Sequence, residues 1–159
     1  MQDDTKRAFL AGGTMAPASA AVAGSASDQS RPVINDPMVV REVEQQFAGY
    51  NEALVANDIA KLNAYFFDSP TTVRFGNAEN LYGFSEIQAY RSSVPSGVAI
   101  KRERTVITTY GNDFATVATL SRPQRPGNIG RTMQTWVRFP QGWRIVAAHV
   151  SKIAEPTKG

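Results

Sequence analysis

The only histidine of the chain, His149, lies in a segment that alternates like a β-hairpin. Two alternating runs between residues 134 and 151 are joined by the turn-forming segment Pro140-Gln-Gly142. Side chains alternate along a strand, so one face of the second run is predicted to hold Trp143, Ile145, Ala147, His149 and Ser151. That face begins apolar and ends polar, which is typical of a strand that crosses a core and ends in a pocket.

A pocket at this place would give His149 and Ser151 a role in binding. A neutral histidine donates a hydrogen bond and a protonated one supplies a cation, so His149 is a candidate contact for an anionic ligand. A structural role at the end of the strand is the alternative. Gln134 and Trp136 share a face of the partner strand and are predicted to line the pocket wall.

Arg74 has surroundings that favour a role in binding, because it lies between Val73 and Phe75 in an otherwise apolar strand. An arginine that points outward there is an ordinary edge-strand residue. One that points inward needs an anion, because an unpaired buried charge is very costly. A guanidinium holds a carboxylate through two parallel hydrogen bonds. An inward Arg74 therefore predicts a pocket for a carboxylate.

Tyr50 falls on the apolar face of the first predicted helix and would bring a phenol to the same pocket. A neighbouring guanidinium favours the phenolate, which would help Tyr50 to act as an acid, a base or a hydrogen-bond donor. The alternative is an aromatic core residue whose hydroxyl finds a local partner. Arg91, on the third predicted helix, is a candidate for the pocket mouth, although an arginine on a helix is more often solvated.

The composition excludes several other kinds of site. The chain of 159 residues has no cysteine, so disulfides, thiolate catalysis and cysteine metal sites are excluded. One histidine without a nearby pair of carboxylates argues against a histidine metal site. His149 and Ser151 share one strand and no Gly-x-Ser-x-Gly segment occurs, so a Ser–His–Asp triad is not supported.

The charge pattern argues against nucleic acid as a partner. The net charge is +3, and the 17 lysines and arginines are scattered among 14 acids. The densest basic patch, Lys101-Arg-Glu-Arg104, is interrupted by an acid, whereas nucleic-acid binding predicts an uninterrupted basic surface. A small anionic molecule is the predicted partner instead.

The first 34 residues differ in composition from the rest and have the pattern of an export leader. The segment Thr5-Lys-Arg-Ala-Phe-Leu10 precedes a run rich in Ala, Gly, Ser and Thr, with Ala21-Val-Ala23 as a small-residue exit. It resembles a twin-arginine leader in which Lys6-Arg7 replaces the arginine pair. A leader predicts a periplasmic bacterial protein; a disordered tail on a cytoplasmic protein is the alternative. Neither is apolar enough to insert into a membrane.

Residues 35–159 are predicted to form one α+β domain. Asp36 and Pro37 are suited to begin a helix, whose apolar face is predicted to hold Val40, Val43, Phe47, Tyr50 and Leu54. A shorter helix follows Asp58, then short strands around 71–75 and 81–83, and a third helix over 85–94. Four long strands are predicted over 100–110, 114–122, 129–139 and 143–152. This order predicts a cone-shaped α+β barrel, in which a strongly curved antiparallel sheet wraps over about three helices.

Several longer motifs resemble a known superfamily. They are Glu52–Asp58, Phe67–Gly76, Glu79–Gly83, Arg104–Ala115, Gly130-Arg131 and the closing hairpin. Their order and residues are similar to the ketosteroid-isomerase-like superfamily, also called SnoaL-like or cystatin-like. Within it, the chain resembles the dicarboxyurea amidohydrolase family of cyanuric acid catabolism and relatives associated with oxalurate catabolism.

The resemblance implies decarboxylating hydrolysis of 1,3-dicarboxyurea to allophanate, without a metal or cofactor. It also implies that Tyr50 and Arg74 are the catalytic pair, with Arg74 holding a carboxylate and Tyr50 transferring a proton. A carboxylate-binding protein without catalysis and an isomerase or cyclase of the same superfamily are the alternatives, because one fold hosts many chemistries. Such proteins commonly pair through the outer face of the sheet, so a homodimer is expected.

One departure from this resemblance bears on the expected site. Where similar sequences tend to have an acidic residue, this chain has Leu120-Ser121-Arg122. The loss of an acid would change the charge of a neighbouring pocket, and with it the ligand.

Overall fold

The structure is a computed structural model that describes residues 31–97, 100–123 and 127–155. The predicted leader therefore lies almost entirely outside the described residues. Three helices and six strands follow one another along the chain. The helices are α1 (Pro37–Ala56), α2 (Ile59–Tyr65) and α3 (Phe84–Ser93). The strands are β1 (Val73–Phe75), β2 (Asn80–Tyr82), β3 (Ile100–Tyr110), β4 (Phe114–Pro123), β5 (Asn128–Phe139) and β6 (Gly142–Ala154).

The strands form one curved sheet in the order β2-β1-β6-β5-β4-β3. All neighbours are antiparallel except β1 and β6, which run parallel. The three helices pack on the inner face of this sheet, and the core lies between the two layers. The α+β prediction is confirmed. None of the helices in the described part of the chain is long and apolar enough to cross a membrane.

Helix α1 begins at the residues that the sequence indicates. The Asp36 carboxylate accepts hydrogen bonds from the backbone N–H groups of Met38 and Val39, and Pro37 occupies the first turn. Asn57 ends the helix in the left-handed conformation, with φ of 53°. The buried stripe is Val39, Val43, Phe47, Tyr50 and Ala53, one position away from the predicted Val40 and Leu54 at either end.

The Glu42 carboxylate fixes α1 against the far end of the sheet. It accepts a hydrogen bond from the Trp143 indole at 3.1 Å and pairs with Arg138. Phe66, just after α2, is buried against the same sheet and forms a bridge with Ile145 of β6. These contacts leave the opposite end of the helix–sheet space open.

Two β-bulges change which side chains face the inside. In β6, Thr135 pairs with Ala147 but Trp136 pairs with Ile145, so Val146 is an extra residue. In β3, Arg102 pairs with Ser121 but Arg104 pairs with Leu120, so Glu103 is an extra residue. A bulge inserts one residue into one strand and so reverses the facing of everything beyond it.

Candidate functional site

A cavity of about 360 Å³ lies at the open end of the cone, between the helices and the inner face of the sheet. Almost every element contributes to its wall: Tyr50 from α1, Arg74 from β1, Arg91 from α3, Arg102 from β3, Ser121 from β4 and Lys152 from β6. The volume is at the lower end of the range of roughly 300–1,000 Å³ typical of small-molecule sites. The cavity therefore suits a small ligand.

Arg74 points inward and is only 6% exposed. Its Nη1 donates to Glu79 Oε1 at 2.5 Å, and its guanidinium lies 4.8 Å from the centre of the Tyr90 ring. Glu79 is thus the anion that an inward arginine requires. A Cβ on Gly76 would lie 1.8 Å from Glu79 Oε1, so the glycine leaves room for this carboxylate in the turn between β1 and β2.

The environment of Glu79 stabilises its ionised form. Partial burial acts to raise the pKa of the Glu79 carboxyl, but hydrogen bonds from Arg74 and from the Ala78 N–H, together with the charge of Arg74, outweigh it. The pKa of Glu79 is therefore lowered from its ordinary value of 4.5. The carboxylate and the guanidinium form an ion pair inside the cavity wall.

Replacement of Glu79 by glutamine is expected to destabilise the fold by about 1–3 kcal/mol at neutral pH, because it leaves Arg74 without a counter-charge. The folded-state pKa of Glu79 is lowered, so the contribution of the pair is complete above pH 4.5 and is lost as the pH falls below that value. Urea unfolding at about pH 7 and about pH 3 gives the free energy of unfolding of each protein. The difference in this free energy between wild type and Glu79→Gln should be smaller at the lower pH.

The exposed Glu44 on α1 offers a control for that experiment, since Glu44→Gln removes a carboxylate without an ion pair among the described residues. Its free energy of unfolding should stay close to that of wild type at both pH values. An equal loss for Glu79→Gln at both pH values would contradict an ionic role for Glu79.

Tyr50 is held between aromatic side chains while its hydroxyl reaches the cavity. The ring is 5% exposed and makes edge-on contacts with Tyr65, Phe66 and Trp136, with centroids 5.8–6.4 Å apart. Its hydroxyl accepts a hydrogen bond of 3.1 Å from Arg91 Nη2. A phenol beside a guanidinium is the arrangement expected of a group that gives or takes a proton.

Arg91 is buried in the cavity wall rather than solvated at its mouth. It is 6% exposed, and its Nε has no hydrogen-bond partner among the described residues. The sequence leaves Arg91 either at the pocket mouth or solvated, and the structure buries it in the cavity wall. The helix carries it inward because it lies four residues after the fully buried Ile87.

Arg102 enters the cavity because of the bulge at Glu103. Its guanidinium donates to Asn51 Oδ1 and lies 5.1 Å from the centre of the Phe47 ring. Burial lowers the pKa of Arg102 from its ordinary value, and the charge of a nearby Tyr50 phenolate would oppose that effect. Sequence reasoning missed this residue, because simple alternation along β3 hides the change of face.

The structure corrects the prediction that His149 lies in the pocket. The bulge at Val146 reverses the alternation of β6, so Ala148 and Val150 turn inward and His149 is exposed on the outer face of the sheet. There it lies near Phe75, with ring centroids 6.3 Å apart, and beside a shallow outer depression. His149 therefore does not reach the cavity that contains Tyr50 and Arg74.

Of the three other predicted pocket residues, one lines the cavity and two lie beneath it. Ser151 lies at the margin of the cavity, but its hydroxyl accepts a hydrogen bond from the exposed Arg131. Gln134 and Trp136 do face inward, yet they are 1% and 0% exposed and bond to each other through Trp136 Nε1 and Gln134 Oε1. They form the core beneath Tyr50 rather than the cavity wall.

The departure at Leu120-Ser121-Arg122 falls partly inside the cavity. Ser121 lines it and is 5% exposed, whereas Leu120 faces outward and Arg122 pairs with Glu103 and Glu155 at the surface. Opposite Ser121, a Cβ on Gly130 would lie 2.6 Å from its hydroxyl oxygen. This part of the wall is thus small and uncharged.

The described residues contain no group of three or more His, Asp or Glu side chains placed to hold a metal ion. The cavity instead offers guanidinium groups, a phenol and small hydroxyl groups. Such a set can bind an anion and exchange a proton with it.

Comparison with known proteins assigns the chain to a family. The AtzH-like family model matches residues 32–156. A DUF3225-family protein from Pectobacterium atrosepticum is 46% identical, over 76% of this chain and 94% of that one, with a TM-score of 0.74. A cystatin-like fold protein from Burkholderia xenovorans is also 46% identical, over 79% and 99%, with a TM-score of 0.76. No curated protein matches the chain.

A more distant match shows the wider fold group. An NTF2-like superfamily protein from Salmonella enterica is 23% identical over 77% of this chain and 96% of that one, with a TM-score of 0.63. The superfamily resemblance inferred from the motifs is confirmed. The chain belongs to the AtzH-like family, with the cystatin-like, NTF2-like fold.

Proposed function

We propose that the protein is a cofactor-free, decarboxylating amidohydrolase that acts on a small ureido-carboxylate such as 1,3-dicarboxyurea. The observation that carries this proposal is that two buried polar side chains, Arg74 and Tyr50, line the same small cavity. Arg74 uses one Nη for Glu79, which leaves other N–H donors of its guanidinium for a substrate carboxylate. Tyr50 supplies the proton.

The proposed reaction needs only one proton transfer and one bond cleavage. Arg74 binds a terminal carboxylate and fixes its plane. The bond between that carboxyl carbon and nitrogen breaks, its electron pair goes to nitrogen, and the nitrogen takes the proton of Tyr50. Carbon dioxide and allophanate leave, and water returns a proton to the phenolate. One dianion and one proton thus give one monoanion and carbon dioxide.

The test is to incubate the purified protein with freshly prepared 1,3-dicarboxyurea and to follow carbon dioxide and allophanate. We expect release of the two products in equal amounts, well above the rate without protein. Spontaneous decay of the substrate is the control. Release at the uncatalysed rate would contradict the proposed activity.

A binding protein without catalysis is the second candidate, and the excess of cationic side chains in the cavity favours it. A ligand that binds only the folded state raises the melting temperature. A thermal-shift screen of ureides, oxalurate and small diacids, combined with the product assay, therefore distinguishes a binding protein from a hydrolase. Stabilisation by dicarboxyurea without product would support binding alone.

We also propose that two copies pair through the outer face of the sheet. Val106, Leu120 and Met133 are 46%, 37% and 49% exposed there and surround the depression beside His149. A self-complementary apolar patch of this kind suits a two-fold interface. Light scattering at micromolar concentration should give the mass of a dimer.

Replacement of Met133 by glutamate should convert that dimer to a monomer, because it buries a charge at the interface. Met38→Glu is the matched control, since Met38 is 64% exposed on α1, away from this face. It should leave the dimer intact. A monomeric wild-type protein would overturn the proposed pairing.

A further inference from the structure

The charges that line the cavity are not balanced. Its described wall contains four cationic side chains, Arg74, Arg91, Arg102 and Lys152, and one carboxylate, Glu79. That carboxylate already pairs with Arg74 at 2.5 Å. The remaining cations have no counter-charge in the wall.

Arg91 is the most costly of these to bury. It is 6% exposed, and its one hydrogen bond in the described part of the chain goes to the neutral hydroxyl of Tyr50. Its Nε is buried without a partner there. A hydrogen bond to a phenol orients a guanidinium but does not neutralise it, and an uncompensated buried charge is strongly unfavourable.

Arg102, which lines the same cavity from β3, has the same deficit. Asn51 accepts one hydrogen bond and Phe47 covers one face, but Arg102 Nη1 is buried and has no partner within the described ranges. Its cross-strand neighbour is Ser121, which carries no charge. An acid at this neighbouring position would lie about 5 Å away, measured between Cβ atoms.

We infer that Arg91 and Arg102 form a second anion-binding subsite, distinct from the Arg74–Glu79 pair, and that the cavity takes a ligand with two anionic groups. One group binds the free donors of Arg74 and the other binds the partnerless donors of Arg91 and Arg102. The inference rests on the site of the proposed function and assigns the second anionic group of its substrate to Arg91 and Arg102. A monoanion would leave one set of donors unmatched.

The test compares two stable compounds that differ in one charge. Glutarate has two carboxylates, and glutaramate has an amide in place of one of them. At constant ionic strength, calorimetry should give a dissociation constant for glutarate at least about tenfold lower than for glutaramate. In Arg102→Met and Arg91→Met that ratio should fall below about threefold.

Two further variants keep the inference testable if either arginine variant fails to fold. Ser121→Asp places an acid opposite Arg102 and should abolish the preference for glutarate. Arg41→Met removes an exposed arginine of α1 that does not line the cavity, and should leave the preference unchanged. Circular dichroism and the melting temperature establish that each variant is folded.

Equal dissociation constants for the two compounds in the wild type would overturn the inference, as would no binding of glutarate at millimolar concentration. A preference that survives in both Arg102→Met and Ser121→Asp would do the same. Neither compound is hydrolysed, so these results are independent of turnover. A protein that prefers glutarate but leaves dicarboxyurea intact would retain the subsite and lose the proposed hydrolysis.

Discussion

Replacement of Tyr50 by phenylalanine is expected to lower kcat for 1,3-dicarboxyurea by about 10²–10⁴-fold, the usual contribution of a positioned proton donor. The ring is what packs against Tyr65, Phe66 and Trp136, and it stays in place. Only the hydroxyl that accepts from Arg91 is lost. The fold should lose about 1–3 kcal/mol, because the buried Arg91 is left without its hydrogen-bond partner, and carboxylate binding should persist.

Tyr65 provides the matched control. It is a tyrosine of α2 that packs edge-on against Tyr50 and Trp136, but it does not line the cavity. Tyr65→Phe should leave kcat within about twofold of the wild type. Comparable losses in both variants would show a packing effect, and unchanged turnover in Tyr50→Phe would remove Tyr50 from the mechanism.

Replacement of Arg74 by methionine is expected to lower kcat/KM by about 10²–10³-fold, as the loss of one charged group at a reacting carboxylate does. Methionine keeps most of the volume of the buried side chain but has no donors. Steady-state kinetics with dicarboxyurea measure the loss. The melting temperature should also fall, because the Glu79 side chain is only 19% exposed and loses its counter-charge, so kinetics are measured well below it.

A double variant separates catalysis from charge balance. Arg74→Met leaves Glu79 as a lone carboxylate in the cavity wall, and this could repel an anionic substrate. Arg74→Met combined with Glu79→Gln removes that repulsion. Turnover should stay low if Arg74 binds the substrate. Recovery in the double variant would show that Arg74 acts only by neutralising Glu79.

Local patterns in the sequence predict most of the fold. The cap at Asp36 and the four-residue spacing of α1 define the first helix, and the limits of β3 to β6 agree with the predicted strands to within two residues. These features depend on neighbours in sequence, so periodicity reveals them. Arg74 is likewise predictable, because a cation flanked by Val73 and Phe75 on a short strand must either face water or meet an anion.

The rest of the site depends on contacts between distant strands. A bulge is a mismatch between two strands, and neither strand alone shows where the extra residue falls. Strict alternation therefore places His149 inside and does not identify Arg102. Arg91 is a different case: it lies four residues after Ile87, so the helical period does place it on the buried face of α3.

The bulge at Glu103 makes the size of the cavity's positive charge depend on strand register. If β3 paired with β4 without the extra residue, Glu103 would take the place opposite Ser121 that Arg102 occupies. The cavity would exchange a cation for an anion with no change in composition. Among related chains, insertions and deletions in this strand should therefore alter ligand preference more abruptly than substitutions do. A register shift that brought Glu103 inside would leave three cationic side chains against two carboxylates, and should weaken the binding of a dianion.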